Sequence, residues 1–220
     1  ERRPATFHEA LQMVWFIQIF LHAEGNSAAI SFGRFDQYMW PFLKKDLEDG
    51  VITEGAALEL LCAFFMKCCE GDESQNLVVG GAGSEHPENP LSILVLKAAR
   101  AIRVWQPSIS VRIAKGSSEE LWEESLRLAV SGTGMPSFFN EPVVTAGLKR
   151  LGIPASRAAD WAIVGCYEAA PQGDSYPLTV GGGFALPSLL WDYTRSGGLA
   201  ADSFEAFYAG FKKFLRSEYE

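Results

Sequence analysis

Cys166 and Glu168 stand two residues apart in Gly165-Cys166-Tyr167-Glu168, after the apolar run Trp-Ala-Ile-Val at 161–164 and before Gly181-Gly182-Gly183. The apolar run reads as a short buried strand and the four residues as the loop that follows it. Along extended backbone, positions i and i+2 project to the same side. Cys166 and Glu168 are therefore expected to present a sulfur and a carboxyl to one substrate, with Tyr167 pointing away. A sulfur can take a hydrogen while a neighbouring carboxyl handles a proton. A buried cysteine beside a solvated loop glutamate is the plain alternative, and the loop by itself leaves both readings open.

Other residue groups carry functional and structural readings of the same kind. Gly80-Gly81-Ala82-Gly83 follows a predicted strand but lacks the Lys-Ser/Thr of a phosphate loop and the spacing of a dinucleotide fingerprint, so it reads as a structural turn. Arg34 and Asp36 fit a buried structural pair, a surface cluster or a substrate contact. Arg112, on a predicted strand, is a buried salt-bridge partner or an anion clamp, the former being favoured. Asn140 is a helix cap. His8 and His22 fall on the first helix and His86 in a polar loop, where surface or structural roles are expected. None is placed to activate Cys166 as a hydrolytic nucleophile. Cys62, Cys68 and Cys69 lie in one apolar helical stretch and read as small buried hydrophobes rather than metal ligands or a disulfide framework.

The elements that must position these groups follow from caps and periodicity. Thr6 with Glu9 forms a capping box for a helix to about Ala23, in which Leu11 to Leu21 reads as buried. A second helix runs to Asp49 with Pro41 as a break or first-turn residue, Gly50 stops it, and Thr53 caps a third. Residues 74–81 read as a strand and 90–103 as a helix. Residues 108–113 alternate, with Ile109, Val111 and Ile113 on one face, and so form a strand. Ser117 with Glu120 caps the next helix, 137–139 is a strand, and Asn140 opens a helix ending at Gly152. One or two further helical turns lead into the strand before Cys166, and 184–193 and 202–220 are helical. Strand–helix alternation with short connections argues an α/β fold with parallel strands. In such folds reactive groups gather at the carboxyl ends of strands.

At 220 residues, 48% hydrophobic and 21% charged, the chain is globular rather than disordered. A net charge of −8 gives no electrostatic footprint for nucleic acid or an anionic membrane. Without a signal peptide, a membrane-length apolar run or a disulfide pattern, a reducing cytoplasm is the expected location. The chain begins without methionine and stops within a helical pattern, as expected of a segment of a longer polypeptide.

Several stretches resemble, in order, elements of the glycyl radical enzymes, the family of pyruvate formate-lyase and its dehydratase, amine-lyase and decarboxylase relatives. They are Arg3-Pro4 with Phe7-x-Glu9-Ala10-Leu11-Gln12, then Ser31-x-Gly33-Arg34-x-Asp36-Gln37-Tyr38, and Gln75-Asn76-Leu77 with Gly80-Gly81. Gln106-Pro107 with Arg112, Gly132-x-Gly134-x-Pro136-Ser137-Phe138-x-Asn140 and the Cys166 loop complete the series. Each is weak alone; the ordered set is specific, and only about the last 35 residues lack a signature. The resemblance implies an α/β fold that is part of a ten-stranded α/β barrel, here the first half plus the central cysteine loop with surrounding helices. Residues 1–220 would form a single segment of that barrel domain.

The resemblance also implies site roles. Cys166 would become a thiyl radical that abstracts hydrogen from substrate, inside a barrel that shields it from water and oxygen. Tyr167 stands where pyruvate formate-lyase carries a second cysteine, which argues against acyl transfer to coenzyme A. Cys-x-Glu is the pattern of the eliminating and decarboxylating members, and Glu168 would take the proton of a substrate hydroxyl. Ser31, Asp36 and Thr179 would lie on the substrate side. Ile30 replaces the histidine that precedes this serine in glycerol-type dehydratases, which weakens a glycerol reading. The family's C-terminal R-V-x-G-[YFW] loop has no counterpart in these residues. The glycyl radical is therefore expected on a C-terminal glycine outside this chain, with no cofactor or metal bound directly and the segment alone inactive. Implied partners are a small-molecule substrate, a radical S-adenosylmethionine activating enzyme and a second copy in a homodimer, in the cytoplasm or a bacterial microcompartment. A radical decarboxylase, a formate acetyltransferase-like member and a non-catalytic α/β fragment are the alternatives.

Overall fold

The computed structural model describes residues 2–25, 29–71, 74–81, 87–174 and 185–218. Two units divide the chain, Glu1–Pro177 and Leu178–Glu220. The first opens with α1 (Phe7–Gly25), α2 (Phe35–Glu48) and α3 (Glu54–Cys68). Thr6 accepts the Glu9 N–H, but the Glu9 carboxylate returns to the Ala5 N–H, so the reciprocal cap is displaced by one residue. Thr53 caps α3 through the Ala56 N–H as expected. Pro41 neither breaks nor opens α2; the helix continues through it, at the loss of one backbone donor. The expected burial of α1 is corrected: Phe7, Ala10 and Leu11 are buried, whereas Phe16 and Phe20 are 52% and 70% exposed. Apolar residues surround this helix, so periodicity does not distinguish its inner face from its outer one.

Three strands, β1 (Asn76–Gly80), β2 (Ser108–Ile113) and β3 (Ser137–Asn140), form a parallel sheet in chain order. Leu77 pairs with Ile109 and Ser110 with Ser137. The crossovers are α4 (Pro90–Ile102) and α5 (Glu119–Ala129), since parallel strands cannot be joined by a tight hairpin. The α5 cap is Ser118 rather than Ser117: the Ser117 hydroxyl accepts the Ala114 N–H, and Ser118 accepts from Leu121. Along the free edge of β1, residues 29–33 run parallel, with Phe32 N–H donating to the Asn76 carbonyl and Val78 N–H to that of Gly33.

The two faces of the sheet differ. Leu77, Val79, Ile109, Val111 and Ile113 enter the large core beneath the helices, with Phe35, Phe64 and Phe65. Val78 faces a smaller cluster containing Leu148, Ala158, Trp161 and Ile163. Pairing partners in register share a face, so Ser110, Arg112 and Phe139 lie on the Val78 side.

That second face receives the segment containing the cysteine. Asn140 opens α6 (Glu141–Arg150) by accepting the Val143 N–H, and α7 (Ala155–Ala159) leads into β4 (Trp161–Val164). Here the all-parallel expectation fails. β4 pairs antiparallel with β5 (Glu168–Pro171), a strand the sequence did not announce, with Val164 opposite Glu168 and Trp161 opposite Pro171.

Gly80 joins the sheet to α2. Its N–H donates to Asp36 Oδ2 and its carbonyl accepts from Arg34 Nη2. Its φ is +87°, and a Cβ there would lie 2.7 Å from the Arg112 carbonyl oxygen. Gly80→Ala should cost roughly 2–5 kcal/mol, from left-handed strain plus overpacking against backbone. Gly50→Ala, also at positive φ but with nothing within 4 Å, should cost only about 1 kcal/mol. Denaturant unfolding of the two variants measures the difference.

The second unit contains α8 (Leu186–Arg195), a short 3-10 turn (Gly198–Ala200) and α9 (Phe204–Ser217). The Tyr193 ring packs on Phe207, Phe211 and Phe214 at centroid distances of 5.3, 5.6 and 5.6 Å. Among the described residues, no helix is long and apolar enough to cross a membrane.

Candidate active site

The turn of the β4–β5 hairpin is Gly165-Cys166-Tyr167. Gly165 has φ +61°, a left-handed conformation suited to glycine. A side chain there would also meet the Glu168 carboxylate, since a Cβ would lie 2.9 Å from Oε2. The absence of that side chain lets the carboxylate fold back beneath the turn, where it accepts the Tyr167 N–H at 2.9 Å. Cys166 is a free, exposed thiol, and Glu168 is half-buried.

This geometry revises the expected one. Cys166 and Glu168 do not alternate along one strand: Cys166 occupies the turn and Glu168 is the first residue of β5. The turn keeps them close, and the carboxylate faces the loop backbone. Tyr167 is 67% exposed and its ring is tilted against Phe139, with centroids 6.3 Å apart.

Ser31 reaches the same turn. Its Oγ accepts the Gly165 N–H at 3.0 Å and the Asn76 N–H at 3.2 Å. One hydroxyl oxygen thus joins the residue before Cys166 to the first residue of β1, and its own proton is still a donor. The cysteine turn therefore follows the carboxyl end of β4, as expected, but sits beside the start of β1. The carboxyl end of β1 lies instead at the hairpin base, beside Arg112.

Asp36 lies at that other end. It is fully buried; Oδ2 accepts from Gly80 N–H at 2.8 Å and Ser92 Oγ at 2.7 Å, and Oδ1 lies 3.8 Å from Arg34 Nε. Burial pushes its carboxyl above the ordinary value, with Arg34, Ser92 and Gly80 opposing the rise. These contacts direct the carboxylate at the sheet and α4, and the ties to Arg34 connect it to the hairpin base. Thr179, His86 and the triglycine at 181–183 lie outside the described residues.

The hairpin base is held by groups whose sequence positions did not announce that role. Arg112 is fully buried. Its Nη1 donates to the Trp161 carbonyl at 2.9 Å and its Nη2 to the Ala159 carbonyl at 2.8 Å, while Glu141 lies 3.3 Å away. The guanidinium also stacks over the Trp161 ring, 4.3 Å from its centroid. Burial, then the neighbouring Arg34 charge, lowers the Arg112 pKa to about 10, against the pull of Glu141, Asp36 and Asp160. It remains a cation at neutral pH. Arg34 Nη1 lies 3.6 Å from Asp160 Oδ1. Across the hairpin, Gln172 N–H donates to the Asp160 carbonyl, and Gln172 Oε1 accepts the Arg34 N–H. Gly33 leaves room for that amide: a Cβ there would lie 2.8 Å from Gln172 Oε1. Arg157 of α7 also pairs with Asp174.

A cleft of about 160 Å³ opens between the hairpin and residues 31–33, lined by Ser31, Gly33, Val164 and Gln172 among others. Arginine on the face of β2 opposite Ile109, Val111 and Ile113 was the one sequence signal for the hairpin anchor. Asp160, Gln172 and Glu141 carried none.

Known proteins match this arrangement over most of the chain. The profile of the family described as Pyruvate formate lyase-like matches residues 1–218. Isethionate sulfite-lyase from Nitratidesulfovibrio vulgaris is 36% identical over 205 residues, covering 84% of this chain and 24% of that protein. A glycyl radical enzyme from Archaeoglobus fulgidus superposes with a TM-score of 0.74 at 33% identity, over 79% of this chain and 25% of that one. The glycerol-bound form of the B12-independent glycerol dehydratase from Clostridium butyricum gives a TM-score of 0.81 at 28% identity, over 97% and 31%. The chain spans about a quarter of the length of the curated relatives it matches. With the family profile matching nearly the whole chain and relatives above 30% identical sharing its mixed α/β fold, this chain belongs to the pyruvate formate lyase-like family of glycyl radical enzymes.

Proposed function

We propose that the full-length protein is a glycyl radical lyase that eliminates a leaving group from a small hydroxylated substrate. One observation carries this reading: a cysteine at the tip of an anchored hairpin has a carboxylate folded into the same turn. Relatives named as a sulfite-lyase and as a dehydratase support elimination as the reaction class.

A stored radical on a C-terminal glycine outside this chain supplies the unpaired electron that makes Cys166 a thiyl. The sulfur then takes a hydrogen atom from the hydroxyl-bearing carbon, forming S–H and breaking C–H. Glu168 takes the hydroxyl proton, leaving a ketyl radical anion. The ketyl expels the substituent of the adjacent carbon with its bonding electron pair. The resulting carbonyl radical recovers a hydrogen atom from Cys166, which regenerates the thiyl, and the Glu168 proton passes to the departing group. Placement of reacting atoms and exclusion of water are the protein's main contributions.

Ser31, whose hydroxyl proton is available beside the turn, is assigned to orient the substrate hydroxyl. Asp36 is assigned the structural share, because its carboxylate is engaged by Gly80, Ser92 and Arg34. Thr179 is retained as a substrate-side residue on the family resemblance. The surrounding scaffold is read as part of the ten-stranded barrel of a homodimeric enzyme charged by a radical S-adenosylmethionine activating enzyme, in the cytoplasm or a microcompartment.

Anaerobic activation of the full-length protein should give the doublet of a glycine-centred radical in electron paramagnetic resonance. Diols, amino alcohols, hydroxyprolines and hydroxysulfonates should then be screened for carbonyl products. A full-length gene without a downstream R-V-x-G glycine loop would overturn the proposal.

A further inference from the structure

We infer that Arg112, together with Arg34, is a positioning residue that fixes how far the cysteine hairpin reaches, and thereby sets the rate of hydrogen transfer at Cys166. This rests on the radical-lyase reading and adds to it a determinant remote from the thiol.

The hairpin ladder comprises only four residue pairs, from Trp161 with Pro171 to Val164 with Glu168. Two-stranded ribbons of this size are marginal without tertiary support. Support comes from each end. At the tip, Ser31 receives the Gly165 N–H. At the base, the Arg112 fork grips the carbonyls of Ala159 and Trp161, which straddle Asp160. Arg34 takes the Asp160 carboxylate, while its own N–H is held by Gln172, the residue after the returning strand.

Both guanidiniums are fully buried and are themselves fixed to the sheet. Arg34 donates to the Gly80 carbonyl, and Arg112 is a residue of β2 steadied by Glu141 and the Trp161 ring. The sheet thus dictates the position of the hairpin base through rigid, planar donors. A lysine in place of Arg112 keeps the charge but cannot span both carbonyls as a fork. The base would then be free to shift along the sheet. Hydrogen-atom transfer depends on close approach, and a misplacement of about 1 Å can cost 10²-fold in rate.

Arg112→Lys in the activated full-length enzyme is expected to lower kcat by roughly 10–100-fold with little change in KM. The glycyl doublet should keep its intensity, and the deuterium isotope effect for substrate labelled at the abstracted position should grow as transfer becomes limiting. Asp160→Asn, at a side chain 38% exposed, removes the ion pair with Arg34 and the carboxylate's weaker pull on Arg112, leaves both backbone carbonyls gripped by the fork, and should lower kcat by about tenfold. It serves if Arg112→Lys does not fold. Asp46→Asn is the control for stability: Asp46 is a buried acid that accepts the Phe7 N–H, away from the hairpin. Below its unfolding temperature it should leave kcat and the isotope effect unchanged.

Wild-type kcat in Asp160→Asn and in any folded, radical-loaded Arg112→Lys overturns the inference and leaves the lyase reading intact. Equal loss of kcat in Asp46→Asn also overturns it, by reducing the effect to stability. Wild-type turnover that does not depend on Cys166 overturns the lyase reading instead.

Discussion

Cys166→Ala in the activated full-length protein is expected to abolish turnover, by roughly 10⁴-fold or more, the scale on which removal of an essential reacting group acts. The glycine-centred doublet should persist, because on the proposed reading the radical is stored on a separate glycine and does not need the thiol to form. Folding should also be unaffected. Cys166 is exposed at a turn whose backbone is set by its neighbours, through the Gly165 N–H to Ser31 and the Tyr167 N–H to Glu168. Neither bond uses the sulfur. Quantifying radical per protomer and product in the same sample separates the two functions; an alanine variant that still turns over would remove Cys166 from the mechanism.

For Glu168→Gln, the expected result is a fall in kcat of about 10²–10⁴, the usual share of a general base, while hydrogen abstraction continues. Glutamine retains an oxygen to accept the Tyr167 N–H, so the turn should keep its shape, and only the proton acceptor is lost. Abstraction is reversible through the thiol. Substrate recovered from heavy water should therefore acquire deuterium at the hydroxyl-bearing carbon even as product formation stalls. Turnover close to wild type would show that the carboxylate serves the loop backbone alone.

Local chemistry made much of the fold legible. The alternation of 108–113 marked β2, whose Ile109, Val111 and Ile113 enter the core, and Thr53 and Asn140 cap the helices they were expected to cap. Where two neighbouring groups could serve, the outcome depended on competing bonds. Ser117 and Ser118 are adjacent hydroxyls, and the Ala114 N–H takes the first, leaving the second as cap.

The hairpin was not legible. Glu-Ala-Ala-Pro at 168–171 has neither β-branched residues nor alternation, and it is a strand because β4 and the sheet face hold it there. The chemical pair itself was legible, since a Cys-x-Glu loop after an apolar run is a local signal. Its geometry was not, because the turn is shaped by a glycine without a side chain and by a serine far away in sequence. Arg34 and Arg112 were readable as buried cations. Their grip on the hairpin was hidden by the separation between each guanidinium and its partners.

That separation bears on how the site is encoded. Ser31 and Gly165 are 134 residues apart, and Arg34 and Gln172 are 138 apart. Joining them closes most of the first unit into a loop, so the entropy of that closure is met by the intervening sheet and helices rather than by the hairpin. A peptide cut around Cys166 would carry the reactive residues without these tertiary supports. The instruction for where the thiol stands is written at residues 31–34, which the chain supplies more than a hundred residues before the cysteine itself.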